Sequence, residues 1–219
     1  MRESAQGEIV SEKFDVFLAS GSPRRRDLLQ REGVNFTVRV SEVDETLEPD
    51  LLRQPEEAAK KLAERKARAV VEEVLNEGYA GMAIFVGADT VVATADRIYG
   101  KPEDEEDAAR ILSELSGRAH QVITGVSVWL VSAPADSEDV SLGFRTFAET
   151  SHIVFKNLSE EDIWGYIATG EPMDKAGAYG IQGEGRALVD RVSGDFDNVV
   201  GLPVKRLLDE FAEFFEAAR

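Results

Sequence analysis

Residues 15–26 read Asp15-Val16-Phe17-Leu18-Ala19-Ser20-Gly21-Ser22-Pro23-Arg24-Arg25-Arg26, and they decide the fold class. The run from Asp15 to Ala19 is short and mostly apolar, the pattern of a buried strand. Ser22 is a capping residue, Pro23 suits the first helical position, and Leu28 and Leu29 begin an apolar face. Gly33 closes that helix. A strand that turns into a helix through Ser-Gly-Ser is the start of an α/β chain. The same turn offers chemistry, because a helix N-terminus carries unpaired N–H groups and partial positive charge suited to an anion. Gly21 allows close backbone approach, and Ser20 and Ser22 add hydroxyl donors. Arginines in a first helical turn oppose the dipole, a small cost that a phosphate would offset. On these residues alone two readings stand level: a phosphate site at a helix mouth, or a capped helix with surface arginines.

Working outward, Val34, Phe36, Val38 and Val40 alternate with polar residues, which predicts a half-buried strand. Pro55 opens a long helix whose Ala58, Ala59, Leu62, Ala63, Lys66, Ala67 and Val70 keep a helical period. Residues 83–93 (AIFVGADTVVA) are rich in β-formers and predict a central strand, followed by a turn at Asp96-Arg97 and a short segment ending Ile98-Tyr99-Gly100. A helix is expected over 104–115, stopped at Gly117, then strands over 121–131 and 144–155 joined by an exposed hairpin loop at 132–140. Ser159 with Asp162 forms a capping box for a helix through Ala168. A glycine-rich loop follows over 170–185, then a strand over 187–192. Pro203 starts a terminal helix with Leu207, Leu208, Phe211, Phe214 and Phe215 inward. The expected fold is α/β: a mixed, twisted sheet flanked by helices, its two lobes bordering a cleft. Residues 1–13 read as a loose leader and 14–219 as one domain.

Composition narrows the chemistry. The 219 residues contain no cysteine and two histidines, which excludes disulfides, thiolate catalysis and zinc–sulfur or multi-histidine sites. A metal, if used, must be a hard cation held by oxygens, magnesium or manganese. The net charge of −17 argues against nucleic-acid and anionic-membrane partners. No apolar run reaches membrane-spanning length, and residues 1–13 lack the order of a signal peptide, so a cytoplasmic protein is expected. Against that acidic background the three consecutive arginines are the exception.

Further residues carry possible chemistry. Asp89, in an otherwise apolar strand, must pair or face a site. It could be a base for water, a metal ligand, or a strand-end cap. Gly100-Lys101-Pro102 fixes a turn presenting one lysine, a weak signal by itself. The segment 171–183 combines charge, glycine and Gln182, whose amide can both donate and accept, as reading a base edge requires. Glu42, Asp44 and Glu45 follow a strand and could join Asp89 at a metal, although at least two of them fit a solvated acidic turn. His120 and His152 read as ordinary packing or surface residues.

Taken in order, LASGSPRRRDLL, LAERKARA, GADTVV, GKP, LSGRAHQVITGV, DKAGAYGIQG and VVGLP resemble the Maf family of nucleotide pyrophosphatases, from about Phe17 to Leu208. The resemblance implies hydrolysis of a nucleoside triphosphate to the monophosphate and pyrophosphate, with a divalent metal, on a mixed α/β fold with a central cleft. It implies Asp89 as proton acceptor for water, with Glu45 beside it at the metal. Ser20, Ser22, Arg24, Arg25, Lys66 and Lys101 would hold phosphate. Arg24, Thr90 and Gln182 resemble the set that goes with dTTP and UTP, and relatives of this kind are often homodimers. Arg26 has no part beyond surface charge. The stretch between Lys66 and Asp89 and the one over 132–140 are longer than in compact relatives and are expected to be surface loops. Residues 194–198 are unusually acidic for their block. A γ-phosphatase and a nucleotide sensor in division control without turnover are the rival readings.

Overall fold

A computed structural model describes residues 14–40, 42–135 and 139–218. The apolar run Phe14–Ala19 forms strand β1, and Pro23–Arg31 forms helix α1 directly after it. Thr37–Val38 is β2, and a 3-10 turn at Pro49–Arg53 leads into the long helix α2, Pro55–Asn76. Gly81–Ala93 is β3, Ile98–Tyr99 is β4 and Glu105–Leu115 is α3. The long hairpin of β5 (Ala119–Ala133) and β6 (Ser141–Phe155) is followed by α4 (Glu160–Ile167). After a loop with three 3-10 turns come β7 (Val189–Ser193) and the helices α5 (Phe196–Val200), α6 (Val204–Glu210) and α7 (Ala212–Ala217).

The strands make one seven-stranded sheet in the order β2-β1-β3-β5-β6-β7, with β4 beside the far end of β3. β1 runs parallel to β2 and β3, and the remaining pairs are antiparallel, so the sheet is mixed. Side chains of a strand alternate between faces, and β3 shows it. Ile84, Val86, Ala88 and Val92 join the larger core, while Ala83, Phe85, Val91 and Ala93 face α2. The buried stripe of α2, from Ala58 through Val74, lies on that second face. Two glycines let it lie close. A Cβ on Gly87 would come 2.5 Å from the Ala63 carbonyl oxygen, and one on Gly125 would come 2.3 Å from that of Ala59. Helix and sheet therefore meet backbone to backbone.

One break in the sheet positions everything that follows. β1 pairs with β3 only as far as Ala19 opposite Gly87, and β4 takes up that edge again at Val92. Residues 88–91 have no strand neighbour on that side, so the turn after β1 and side chains from both sheet faces open into one cleft.

Several expectations need correcting. The strand predicted over 34–40 shrinks to Thr37–Val38, both exposed, because it is an outermost strand with one neighbour. The hairpin loop is shorter than 132–140, since β5 runs to Ala133 and β6 starts at Ser141; residues 136–138 lie outside the described residues. The stretch between Lys66 and Asp89 is no surface loop: α2 continues to Asn76 and β3 begins at Gly81. Ala187 and Leu188 belong to a 3-10 turn, and the strand starts at Val189. The terminal helix breaks at Phe211, whose φ of −124° leaves the helical range while its ring stays buried. Helix α5 was not foreseen. The leader assigned to 1–13 lies outside the described residues. No helix among the described residues is long and apolar enough to cross a membrane.

Candidate active site

The cleft at the sheet break has a volume of about 730 Å³, and Ser20, Ser22, Arg24, Arg25, Glu45, Lys66, Asp89, Thr90, Lys101 and Gln182 all line it. That size is in the range that encloses a small-molecule ligand. Residues from six separate stretches of chain thus meet where β1 ends, the usual place for a ligand on a sheet of this kind.

At the helix mouth, Ser22 is the N-cap residue but its hydroxyl makes no capping bond. The Ser22 N–H instead donates to Ser20 Oγ at 3.3 Å. Arg25 is 9% exposed and donates from Nε to the Gly201 carbonyl (2.7 Å), from Nη1 to Ser20 Oγ (3.1 Å) and from Nη2 to Thr90 Oγ1 (3.0 Å). None of these partners is charged, and Arg25 takes part in no ion pair among the described residues. Burial lowers its pKa, opposed by the charge of Asp89 and furthered by that of Arg24. A buried guanidinium without a carboxylate on the wall of a cleft is a site that favours an anion. Arg24, one step around the helix, is more open and, among the described residues, pairs with Asp174 at 3.8 Å. Arg26 is exposed, as expected.

The Thr90 hydroxyl proton is committed within the protein. Thr124 Oγ1 donates to the Asn198 carbonyl at 3.0 Å, so in the 2.9 Å contact between the two threonines Thr90 must be the donor. A directed chain runs from Arg25 through Thr90 and Thr124 to Asn198, whose amide donates to the Val122 carbonyl and to Ser151 Oγ. Thr90 has no proton left to offer a ligand. It orients Arg25.

On the opposite face of β3, Asp89 is 9% exposed and accepts from Lys66 Nζ at 2.5 Å. The same ammonium lies 2.7 Å from Glu45 Oε1. Lys66 reaches both because Gly87 lets α2 approach the strand two residues before Asp89. Burial pushes the Glu45 pKa up, but the Lys66 hydrogen bond and the charges of Lys66, Lys101 and Arg25 outweigh it and leave it lowered. Of the acidic trio, Glu45 alone lines the cleft. Asp44 accepts from the Thr46 N–H at 2.8 Å, and Glu42 is exposed. Both fit the solvated turn.

The glycine-rich loop is a built wall. The Glu171 carboxylate accepts from the Tyr166 hydroxyl (3.0 Å) and the N–H groups of Glu184 (2.8 Å) and Gly185 (3.3 Å). Lys175 Nζ donates to the Glu171 carbonyl at 2.7 Å. Behind it, buried Tyr179 meets His120 Nε2 at 2.9 Å, so His120 is a packing residue as read, and His152 is exposed. Gln182 remains exposed on the rim. Sequence reasoning missed Glu171 as the loop's internal clasp, and it missed residues 199–201, which close the cleft beside Arg25. The glutamate's only signal was its place before Pro172 in a loop dense in glycine.

A family model described as Maf-like protein matches residues 15–214. A dTTP/UTP pyrophosphatase of Geobacillus sp. (strain WCH70) is 44% identical over 195 residues, 89% of this chain and 95% of the relative. One of Dictyoglomus thermophilum is 47% identical over 195 residues, 89% and 93% of the two chains. One of Lachnoclostridium phytofermentans is 41% identical over 201 residues, 92% and 95%.

Proposed function

The chain belongs to the Maf-like protein family, and on that premise we propose that it is a nucleoside triphosphate pyrophosphatase, hydrolysing dTTP and UTP to the monophosphate and pyrophosphate. Modified pyrimidine nucleotides are further substrates. The observation that carries the reading is the pairing of two half-sites across one strand. A buried arginine without a carboxylate lies on one face of β3, and a lysine-held aspartate on the other.

The triphosphate enters at the helix mouth, against the hydroxyls of Ser20 and Ser22 and the guanidinium of Arg25. Asp89 gives one oxygen to Lys66 and keeps the other for water, which it orients and deprotonates as oxygen attacks the α-phosphorus in line. The bond to the β-phosphate oxygen breaks, and pyrophosphate leaves with the electron pair. Arg24, Arg25, Lys66 and Lys101 neutralise the charge that gathers there, the main source of catalysis in such transfers.

The donor set suits a hard divalent cation, Mg2+ or Mn2+. Asp89 and Glu45 each use one oxygen on Lys66, which leaves Oδ2 and Oε2 outside those contacts. No group of three or more potential ligands stands together among the described residues, so substrate phosphates would complete the shell. Bound there, the ion supplies further charge neutralisation. For the base, Gln182 on the rim offers a donor and an acceptor, and Arg24 adds a donor, while Thr90 acts through Arg25. The net charge of −17 supports a protein without nucleic-acid or anionic-membrane partners. The resemblance supports a homodimer.

The test is a panel of nucleoside triphosphates with Mg2+ or Mn2+, with and without chelator, and product separation. The proposal expects pyrophosphate from dTTP and UTP, abolished by chelator and reduced by orders of magnitude in Asp89→Asn. Diphosphate with orthophosphate would show a γ-phosphatase, and tight binding with no product would show a sensor.

A further inference from the structure

Glu45 is supplied to the cleft by a stretch, residues 42–48, that has no regular secondary structure and is mostly exposed. Every other residue of the catalytic set sits on a helix or strand, or within a turn or so of one. Something must hold this strap for Glu45 to meet Lys66 at 2.7 Å. The neighbour of Lys66 does so. Arg65 donates from Nη1 to the carbonyl oxygens of Asp44 (3.2 Å) and Thr46 (2.7 Å), the residues on either side of Glu45. From Nη2 it donates to Glu48 Oε1 at 2.7 Å. The Asp44 side chain tightens the same bend by accepting from the Thr46 N–H.

We propose that Arg65 is a positioning residue for the reaction: its guanidinium clamps the carbonyls flanking Glu45 and so fixes that carboxylate beside Lys66 and Asp89. The inference rests on the pyrophosphatase reading above and on Glu45 having a part in it. Arg65 and Lys66 are consecutive on α2, so one helix, seated on Gly87 and Gly125, sets the place of both carboxylates. A planar fork can serve two carbonyls and a carboxylate together, which a single ammonium cannot reproduce. The Arg65–Glu48 pair is solvent-facing, with side-chain exposures of 24% and 59%. Its loss has little effect on global stability. The effect falls on geometry instead, where a displacement of about 1 Å reduces rate by up to roughly a hundredfold.

The experiment measures kcat and KM for dTTP in wild type, Arg65→Ala, Arg65→Lys, Glu45→Gln and the double variant Arg65→Ala/Glu45→Gln, together with amide hydrogen exchange over 42–48. Arg65→Ala is expected to lower kcat by about tenfold or more, with KM and melting temperature nearly unchanged. Exchange over 42–48 rises while that of α2 does not, and Arg65→Lys falls between. In the Glu45→Gln background the Arg65→Ala change adds nothing, since the carboxylate it positions is gone. An undiminished kcat, or the same fold-loss in both backgrounds, overturns the proposal. Wild-type kcat in Glu45→Gln overturns it as well, while leaving the pyrophosphatase reading to stand on its products. Should wild type release no pyrophosphate, that reading fails, and unchanged exchange over 42–48 in Arg65→Ala would then refute the clamp by itself.

Discussion

Replacing Gly87 by alanine probes the seat on which the site is built. The added Cβ would lie 2.5 Å from the Ala63 carbonyl oxygen and 2.8 Å from both the N and Cβ of Ala67. Ordinary contact distance is about 3.5 Å, so α2 must retreat by roughly 1 Å. The close atoms are mostly helix backbone, already hydrogen-bonded, and cannot give way one at a time. Lys66 rides between Ala63 and Ala67, so the helix carries its ammonium away from Asp89. Overpacking of this kind costs about 1–3 kcal/mol. At about 2–4 °C per kcal/mol for a chain of this size, the melting temperature falls by roughly 2–12 °C. Misplacing the lysine by that distance lowers kcat by about ten- to a hundredfold. Thermal melts and pyrophosphate release from dTTP read the two effects. The control is Gly165→Ala in α4, where a Cβ meets nothing within 4 Å. It should stabilise by up to about 1 kcal/mol and leave turnover alone. A Gly87→Ala protein that melts and turns over like wild type would refute the claim that close helix seating holds Lys66 on Asp89.

Arg25→Lys keeps the charge but loses the fork that joins Gly201, Ser20 and Thr90; it should raise KM for dTTP about tenfold or more, by about 1.4 kcal/mol or more of lost binding, as steady-state kinetics will read. His120 has its pKa lowered to about 4, burial being the main cause and the Arg118 backbone bond opposing it. It is therefore neutral when folded and takes a proton on unfolding below pH 6.5. Its contribution is complete above that pH and is lost as pH falls toward 4, on the order of 3 kcal/mol in all. Denaturant titrations at pH 7.5 and 4.5 should show a smaller loss of stability in His120→Gln than in wild type, and equal losses would contradict this.

The parts of the fold that were legible are those governed by local pattern. Ser22-Pro23, Pro55 and the Ser159–Asp162 box each mark a helix start, and the apolar stretch around Asp89 gave the central strand. Val34 to Val40 misled because alternation records spacing, not whether a neighbour exists to bury the side chains; β2 is outermost and short. A cleft between two lobes was expected, but its place in the sheet was not legible. It arises from where β1 stops against β3, and register between strands distant in sequence leaves no local mark. The ten candidate residues nonetheless all line that cleft, but their partnerships were hidden. Nothing in Thr90 alone says that its proton goes to Thr124, and nothing in Arg65 alone says that it grips the carbonyls beside Glu45.

The most direct test of the account is hydrolysis of dTTP in water enriched in 18O, followed by mass analysis of both products. Attack on the α-phosphorus by a water held on Asp89 places the label in the monophosphate and leaves pyrophosphate unlabelled. Label in pyrophosphate would mean attack at the β-phosphorus, and labelled orthophosphate attack at the γ-phosphorus; either would contradict the arrangement of Asp89, Lys66 and Arg25 argued above.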